Sequence, residues 1–518
     1  MNDYDVVIIG AGAVGCAAAK ELSGYKLKTA VIEKEADLAF GTSGRNSGVV
    51  HAGFNNTPGT LKAEFCVKGS RGFEKLAEEL GVPYKKTGKL VAGFSDKDRE
   101  KLEELKKRGE VNGVKGLEII DKAGIKAVNP FVEGNFALWS PETAVFDPFL
   151  YTIALAETAA ANGTEFFFNS EVCEIKELEG GGYSIGIRKS NKTEKSEKKD
   201  KSEKSVKEEK ADNSDMSGNE GTEIKGFITG KVVVNCGGLY SGEICRMAGI
   251  DRFDIVPCRG EYHVLDKLAS SVIDLPVYPV PDEEKGVLGV HLTPTTSGNL
   301  MAGPSAEFLE EKDDYSNDEN VMRILREGAD TLIPELKKFP VIRSFAGIRP
   351  KLLDREGKVS GDFVIEESRE HPGFIYLVGI ESPGITASAP IAGYVSELVI
   401  NALGFEPEKK ENTAGRGEVF GCEKTSDESS YPGTHKMICR CERVTEREIL
   451  RAFDDIVRIG AQPTVKGIKN RTGAFRGSCQ GCFCTIDMTE LLRKHRGLEI
   501  SELTYDGEGS ELFEGRLK

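Results

Sequence analysis

Two groups of residues stand out for the chemistry that their types and spacing could perform. The first is Gly10-Ala11-Gly12-Ala13-Val14-Gly15, a G-x-G-x-x-G set between a β-branched run, Asp5 to Ile9, and an alanine-rich segment, Val14 to Leu22. A strand before and a helix after are what such a loop needs to hold a dinucleotide. Gly10 permits the tight turn, Gly12 lets the backbone approach a pyrophosphate, and Gly15 lets helix and strand pack closely. The helix N-terminus offers unpaired N–H groups to the phosphates. Glu33 lies 18 residues past Gly15, at the end of the next strand, Leu27 to Glu33. Its carboxylate would accept hydrogen bonds from ribose hydroxyls and disfavour a 2′-phosphate. The second group is Cys439-Arg440-Cys441 followed, after 37 residues, by Cys479-Gln480-Gly481-Cys482. Four thiolates in this paired spacing can wrap a [2Fe-2S] cluster or a structural zinc ion. Cys484 is a fifth thiol nearby.

Elements must position these residues, and the chain is long enough to build them. It has 518 residues, which at roughly 100–200 residues per domain suggests about three domains. Helical patterns fall at Gly69–Leu80, Asp96–Arg108 and Pro148–Asn162, and strands at Glu165–Phe168, Tyr183–Arg188 and Lys231–Cys236. This mixture predicts α/β architecture with an attached antiparallel sheet. Residues 191–220 hold eight lysines against nine acids and almost nothing apolar, so they predict a disordered, solvated loop between two hairpin strands. Residues 406–435, rich in Gly, Ser, Glu and Lys, read as an interdomain linker. The net charge of −15 argues against a nucleic-acid surface. No apolar run approaches the ~20 residues that cross a bilayer, and the N-terminus does not resemble a secretory signal. Twelve cysteines then point to metal or redox use in a cytoplasmic protein rather than to a disulfide framework.

The segment Gly41-Thr42-Ser43-Gly44-Arg45-Asn46-Ser47-Gly48-Val49-Val50-His51-Ala52-Gly53 resembles the stretch that runs along the flavin in the glycerol-3-phosphate dehydrogenase and D-amino-acid-oxidase superfamily. Val233 to Tyr240, with Gly237, resembles the family's strand returning to the adenosine. Leu377 to Thr386, with Gly384, Ile385 and Thr386, resembles its closing flavin motif. The resemblance implies FAD held by Gly10, Gly12, Gly15, Glu33, Ser43, Arg45, Asn46, Ser47, Gly237, Gly384, Ile385 and Thr386. It also implies a Rossmann-like FAD-binding domain (1–85, 147–255 and 346–405) with an inserted antiparallel-sheet substrate domain (86–146 and 256–345).

Ala346-Gly347-Ile348-Arg349-Pro350 resembles the family's arginine motif, so Arg349 would clamp the anionic end of a small substrate. The implied chemistry is hydride transfer from a carbon bearing a hydroxyl or amine to the flavin. A base near the reacting hydroxyl is expected, and His51 and then His291 are the candidates. Arg259-Gly260-Glu261-Tyr262 resembles a strand of the substrate sheet. Tyr262 stands there where glycerol-3-phosphate enzymes place a histidine. His263 follows one residue later, which on a strand points to the opposite face.

The cysteine spacing resembles the bacterioferritin-associated-ferredoxin-like (BFD-like) domain. A small helical [2Fe-2S] domain over 436–518 is therefore expected, with Cys439, Cys441, Cys479 and Cys482 as ligands. Flavin and cluster together resemble the catalytic A subunits of anaerobic glycerol-3-phosphate dehydrogenases. That resemblance implies glycerol 3-phosphate as substrate and electron exit through the cluster to a second flavoprotein, an iron–sulfur subunit or quinone, with membrane association only through a partner. The flavin segment is also similar to L-2-hydroxyglutarate dehydrogenases. A 2-hydroxy-acid enzyme, an amine or imino-acid dehydrogenase, and a non-catalytic electron-transfer subunit remain alternatives.

Overall fold

The computed structural model describes residues 3–189, 224–281, 289–420 and 436–513. The N-terminal strand Tyr4–Ile9 is buried along nearly its whole length. A β-branched run of this kind is stable only in a sheet covered on both faces. It pairs in parallel with Thr29–Ile32 on one side and with Gly226–Asn235 on the other. Glu165–Phe167 and Phe374–Val378 extend the parallel core. The helices Ala13–Leu22, Pro148–Ala161 and Ser388–Leu403 cover one face, where alanines such as Ala17, Ala18 and Ala154 let helix approach helix and sheet. Tyr183–Lys189 pairs antiparallel with Gly226–Asn235, so a hairpin flanks the charged stretch as the pattern predicts. Residues 191–220 themselves lie outside the described residues.

The helix expected from Gly69 begins instead at Leu61, because the Thr60 side chain caps it by accepting the Ala63 N–H at 3.1 Å. The second sheet has nine strands, most of them antiparallel. Its longest pair is Asp254–Leu265 against Val341–Leu353, with Cys258 opposite Arg349 and Tyr262 opposite Phe345. This sheet roofs the loops at the C-terminal ends of the parallel strands.

The C-terminal segment carries a two-stranded ribbon, Met437–Cys439 with Val444–Thr445, and the helices Glu446–Arg458, Val465–Thr472 and Cys484–Arg496. Ile449, Phe453, Ile468 and Leu492 join the same buried cluster as Ala154 and Leu155 of the flavin-side helix. Arg471 pairs Asp37 at 2.5 and 3.0 Å, and Arg416 pairs Glu157 at 2.6 Å. Asp37 and Glu157 are buried, so these pairs tie the segment to the flavin sheet from inside. Of the stretch read as a linker, residues 406–420 pack in part against the flavin side. Arg416 is paired, the Lys410 ammonium reaches the Asn162 carbonyl, and Phe420 is buried among the helices. The remainder, 421–435, lies outside the described residues. Among the described residues no helix is long and apolar enough to cross a membrane.

Candidate active site and thiol centre

The glycine loop opens into a cavity of about 460 Å3. Gly10 has φ +103°, and a Cβ on it would stand 2.6 Å from the Cys236 carbonyl oxygen, so the turn requires glycine. Gly12, the N-cap of Ala13–Leu22, has no side chain of its own to cap that helix end, an end that suits an anion. Glu33 takes the Ala11 N–H at 2.7 Å and the Glu35 N–H at 3.0 Å, which fixes its carboxylate in the cavity wall. Ser43 accepts the Ala13 N–H at 2.9 Å, and Asn46 bonds the Ser43 carbonyl and the Gly48 N–H. The flavin segment is thus folded onto the helix end before any ligand arrives. The strand Val341–Leu353 crosses this segment at Gly347, where a Cβ would meet the Arg45 carbonyl oxygen at 2.1 Å. Every residue expected to hold FAD lines this one cavity, and the long, mostly apolar trough suits that cofactor.

Tyr262, His291 and Arg349 line the same cavity from the roof side, and His51 lines it from the flavin segment. His51 is held by its own N–H, which donates to Thr386 Oγ1 at 3.1 Å, and its Nε2 lies 3.2 Å from Ser382 Oγ. Burial, helped by the charges of Lys89 and Lys62, pushes its pKa down to about 3, so the imidazole is neutral. Arg349 donates to the Ser305 carbonyl at 2.7 Å and, more weakly, to the Arg259 carbonyl. Among the described residues no carboxylate pairs it, so its charge is free to meet an anion. Tyr262 faces the cavity, whereas His263 turns away and bonds Ser344 and the Met322 carbonyl. The one-residue shift therefore does point the histidine to the other face.

Sequence reasoning missed several side chains. Tyr278 stacks on His291 with ring centroids 3.5 Å apart, and the Ser47 hydroxyl bonds both Tyr262 and Tyr278. Lys89 is buried behind them with its ammonium over the Phe54 and Tyr278 rings, and burial lowers its pKa to about 7. Glu381 accepts from Lys62 and Lys351 at 3.0 and 2.7 Å. Only the substrate sheet and the closing motif together bring these groups near His51, and neither short-range pattern nor composition marks them.

The C-terminal thiols stand as two pairs. Cys441 Sγ lies 3.6 Å from Cys479 Sγ, and the Cys439 and Cys484 thiols share a hydrogen bond. Among the described residues no three potential ligands converge on a single metal position. Paired thiols suit a two-iron cluster, in which each iron takes two cysteines, better than one tetrahedral zinc. Cys482, the expected fourth ligand, is exposed, and its thiol bonds none of the other four among the described residues. Cys484 is buried at the start of its helix, facing Cys439.

Residues 5–398 match the family model described as FAD dependent oxidoreductase, and residues 437–494 match the BFD-like [2Fe-2S] binding domain. The chain is 35% identical to a glycerol 3-phosphate dehydrogenase of Caloramator mitchellensis, over 99% of both chains. It is 33% identical to a mitochondrial L-2-hydroxyglutarate dehydrogenase of Nematostella vectensis, over 76% of this chain and 90% of that one. Among solved structures, an L-alpha-glycerophosphate oxidase of Mycoplasma pneumoniae with FAD bound superposes with a TM-score of 0.67 at 27% identity, covering 80% of this chain and 98% of that one.

Proposed function

The chain belongs to the family of FAD dependent oxidoreductases, and from that premise we propose that it oxidises sn-glycerol 3-phosphate to dihydroxyacetone phosphate. The observation that carries the reading is Arg349, a cation with no carboxylate partner among the described residues, sharing a cavity with neutral His51. The likeness to a glycerol 3-phosphate dehydrogenase over essentially the whole chain supports it. Bound FAD supplies a hydride acceptor, and the [2Fe-2S] cluster supplies one-electron transfer onward. Arg349 holds the phosphate through charge-assisted hydrogen bonds and so fixes the position of the substrate's C2 hydroxyl. His51 Nε2 takes the proton of that hydroxyl once the substrate replaces Ser382 Oγ beside it, and the bond from the His51 N–H to Thr386 keeps the residue in place. Burial is the chief cause of the low histidine pKa; the smaller contribution of Lys89 and Lys62 is what an anionic substrate would offset. Tyr262, Tyr278 and His291 form the polar and aromatic wall that excludes water.

A cluster here would be held by Cys439, Cys441, Cys479 and Cys482, with Cys484, buried against Cys439, as the alternative fourth ligand. Bound there, the cluster would supply one-electron transfer to a partner, a second flavoprotein or iron–sulfur subunit, in the cytoplasm or at the membrane face of that partner. Relatives that cover about three quarters of the chain include L-2-hydroxyglutarate dehydrogenases, and this gives the second reading.

Anaerobic bleaching of the bound flavin separates the two. Glycerol 3-phosphate should bleach it, and L-2-hydroxyglutarate should not. Bleaching by the hydroxy acid alone, or by neither, overturns the proposal. In Arg349→Met the KM for glycerol 3-phosphate should rise roughly ten- to hundredfold, the loss expected for a charged hydrogen bond of about 1.5–3 kcal/mol.

A further inference from the structure

A second cavity, of about 210 Å3, lies between the flavin segment, the roof and the cluster-bearing segment. Its walls include Arg45 of the flavin segment, Arg343 of the strand Val341–Leu353, and Lys469, Asn470, Arg476 and Gln480 of the C-terminal segment. It is smaller than the roughly 300 Å3 at which pockets for drug-sized ligands begin. The glycines Gly10, Gly12 and Gly15 do not line it, so its cations are not placed for the FAD pyrophosphate. No cysteine lines it either.

The charges around it do not balance. Arg476 pairs with Asp147 at 3.1 Å, and Lys466 lies 3.7 Å from Asp506. Arg45 stacks on the Tyr315 ring and donates to the Ala346 carbonyl. Among the described residues no carboxylate pairs Arg45, Arg343 or Lys469. Lys469 is only 8% exposed, and its neighbour Asn470 only 2%. The Asn470 amide nitrogen and the Arg476 Nε are buried with no acceptor. Burial, with Arg343, Arg476, Lys466 and Arg45 around it, pushes the Lys469 ammonium down to about 6. A buried ammonium, an orphaned amide and an unpaired guanidinium around one hollow are costly when empty. They become complementary once a compact group with several acceptor oxygens and negative charge fills it.

We propose that this cavity is a binding site for a small oxyanion of the phosphate class, free phosphate or the phosphate group of a small ester. Lys469, Arg343 and the Asn470 amide are its donors. Arg45, Asn46 and Ser47 line both cavities, but His51 and Arg349 line only the first and Lys469, Asn470 and Arg343 only the second. The inference therefore does not depend on which substrate the enzyme oxidises. Its place, between the flavin segment and the Cys479–Cys482 loop, lets occupancy brace the cluster segment against the flavin side.

The test is calorimetric titration of the full-length protein, loaded with FAD and cluster, with inorganic phosphate. An Arg349→Met background removes anion binding in the substrate cavity. Saturable binding should persist in that background and weaken at least about tenfold, about 1.4 kcal/mol, in Lys469→Met and in Asn470→Asp. The second variant keeps the side chain's size and puts a carboxylate where the anion would sit. Titration with glycerol 2-phosphate then distinguishes an ester from the free ion, and binding of either supports the site. Loss of binding with Arg349→Met alone, no binding at millimolar phosphate, or binding indifferent to Lys469 would each overturn the proposal. Should the variants fail to retain FAD or cluster, crystals of the wild-type protein grown with tungstate give a reading without substitution. An anomalous peak between Lys469 and Arg343 supports the site, and its absence overturns it.

Discussion

Cys482 and Cys484 differ by two positions yet face opposite environments. The helix that starts at Cys484 turns this thiol inward to Cys439 and leaves Cys482 in solvent. Exposure does not bar ligation, since Cys441 is exposed too. Cys482→Ser should therefore abolish the iron content and visible absorption of the cluster, whereas Cys484→Ser should leave both close to the wild type. The reverse outcome would make Cys484, which faces Cys439, the fourth ligand. Glu381 poses a different residue-scale question. Burial alone would raise its pKa, but Lys62 and Lys351 overcome this and hold the carboxyl below its usual range. A depressed acid stabilises the fold fully above its unfolded pKa, near 4.3, and loses that contribution as pH falls through the folded value. Glu381→Gln should thus lower the thermal midpoint most above about pH 5, and the gap to wild type should narrow on acidification. A gap independent of pH would remove the ion pairs as its cause.

At the scale of elements, the site is made where the strand Val341–Leu353 crosses the flavin segment. Gly347 allows the crossing, because any Cβ would press on the Arg45 backbone rather than on a flexible side chain. Gly347→Ala should part the two elements, with an overpacking cost of about 1–3 kcal/mol, and reduce the FAD retained on purification. Full retention of FAD would show that the crossing has slack. Much of this level was legible beforehand. The run Asp5–Ile9, the alanines after Gly15 and the position of Glu33 predict a strand, a helix and a strand, and those elements form. The alternation around Tyr262 and His263 likewise gives the facing side chain. The start at Leu61 was not legible, since its signal is a single capping threonine, nor were the roles of Tyr278 and Lys89, which lie on strands paired from distant parts of the chain.

The whole molecule is held as one packed body on its cluster side by buried ion pairs. Arg471 reaches Asp37 and lies 3.5 Å from Glu157, which Arg416 also pairs. Removing one member of such a group strands a buried charge, so Arg471→Met should destabilise the protein by about 3–5 kcal/mol and loosen the cluster segment first. Limited proteolysis reads this directly, and unchanged cleavage near residue 436 would count against it. By itself the sequence determined the chemistry carried by local spacing. The glycine loop, the flavin segment and the cysteine pairs are each contiguous, so short stretches of chain specify them. Tertiary structure decided what depends on convergence from afar. It set the absence of a carboxylate beside Arg349 among the described residues, the inward turn of Cys484 towards Cys439, the packing of residues 406–420 and the gathering of cations around Lys469. Burial and charge balance are properties of neighbours in space, and those neighbours are hundreds of residues apart along the chain.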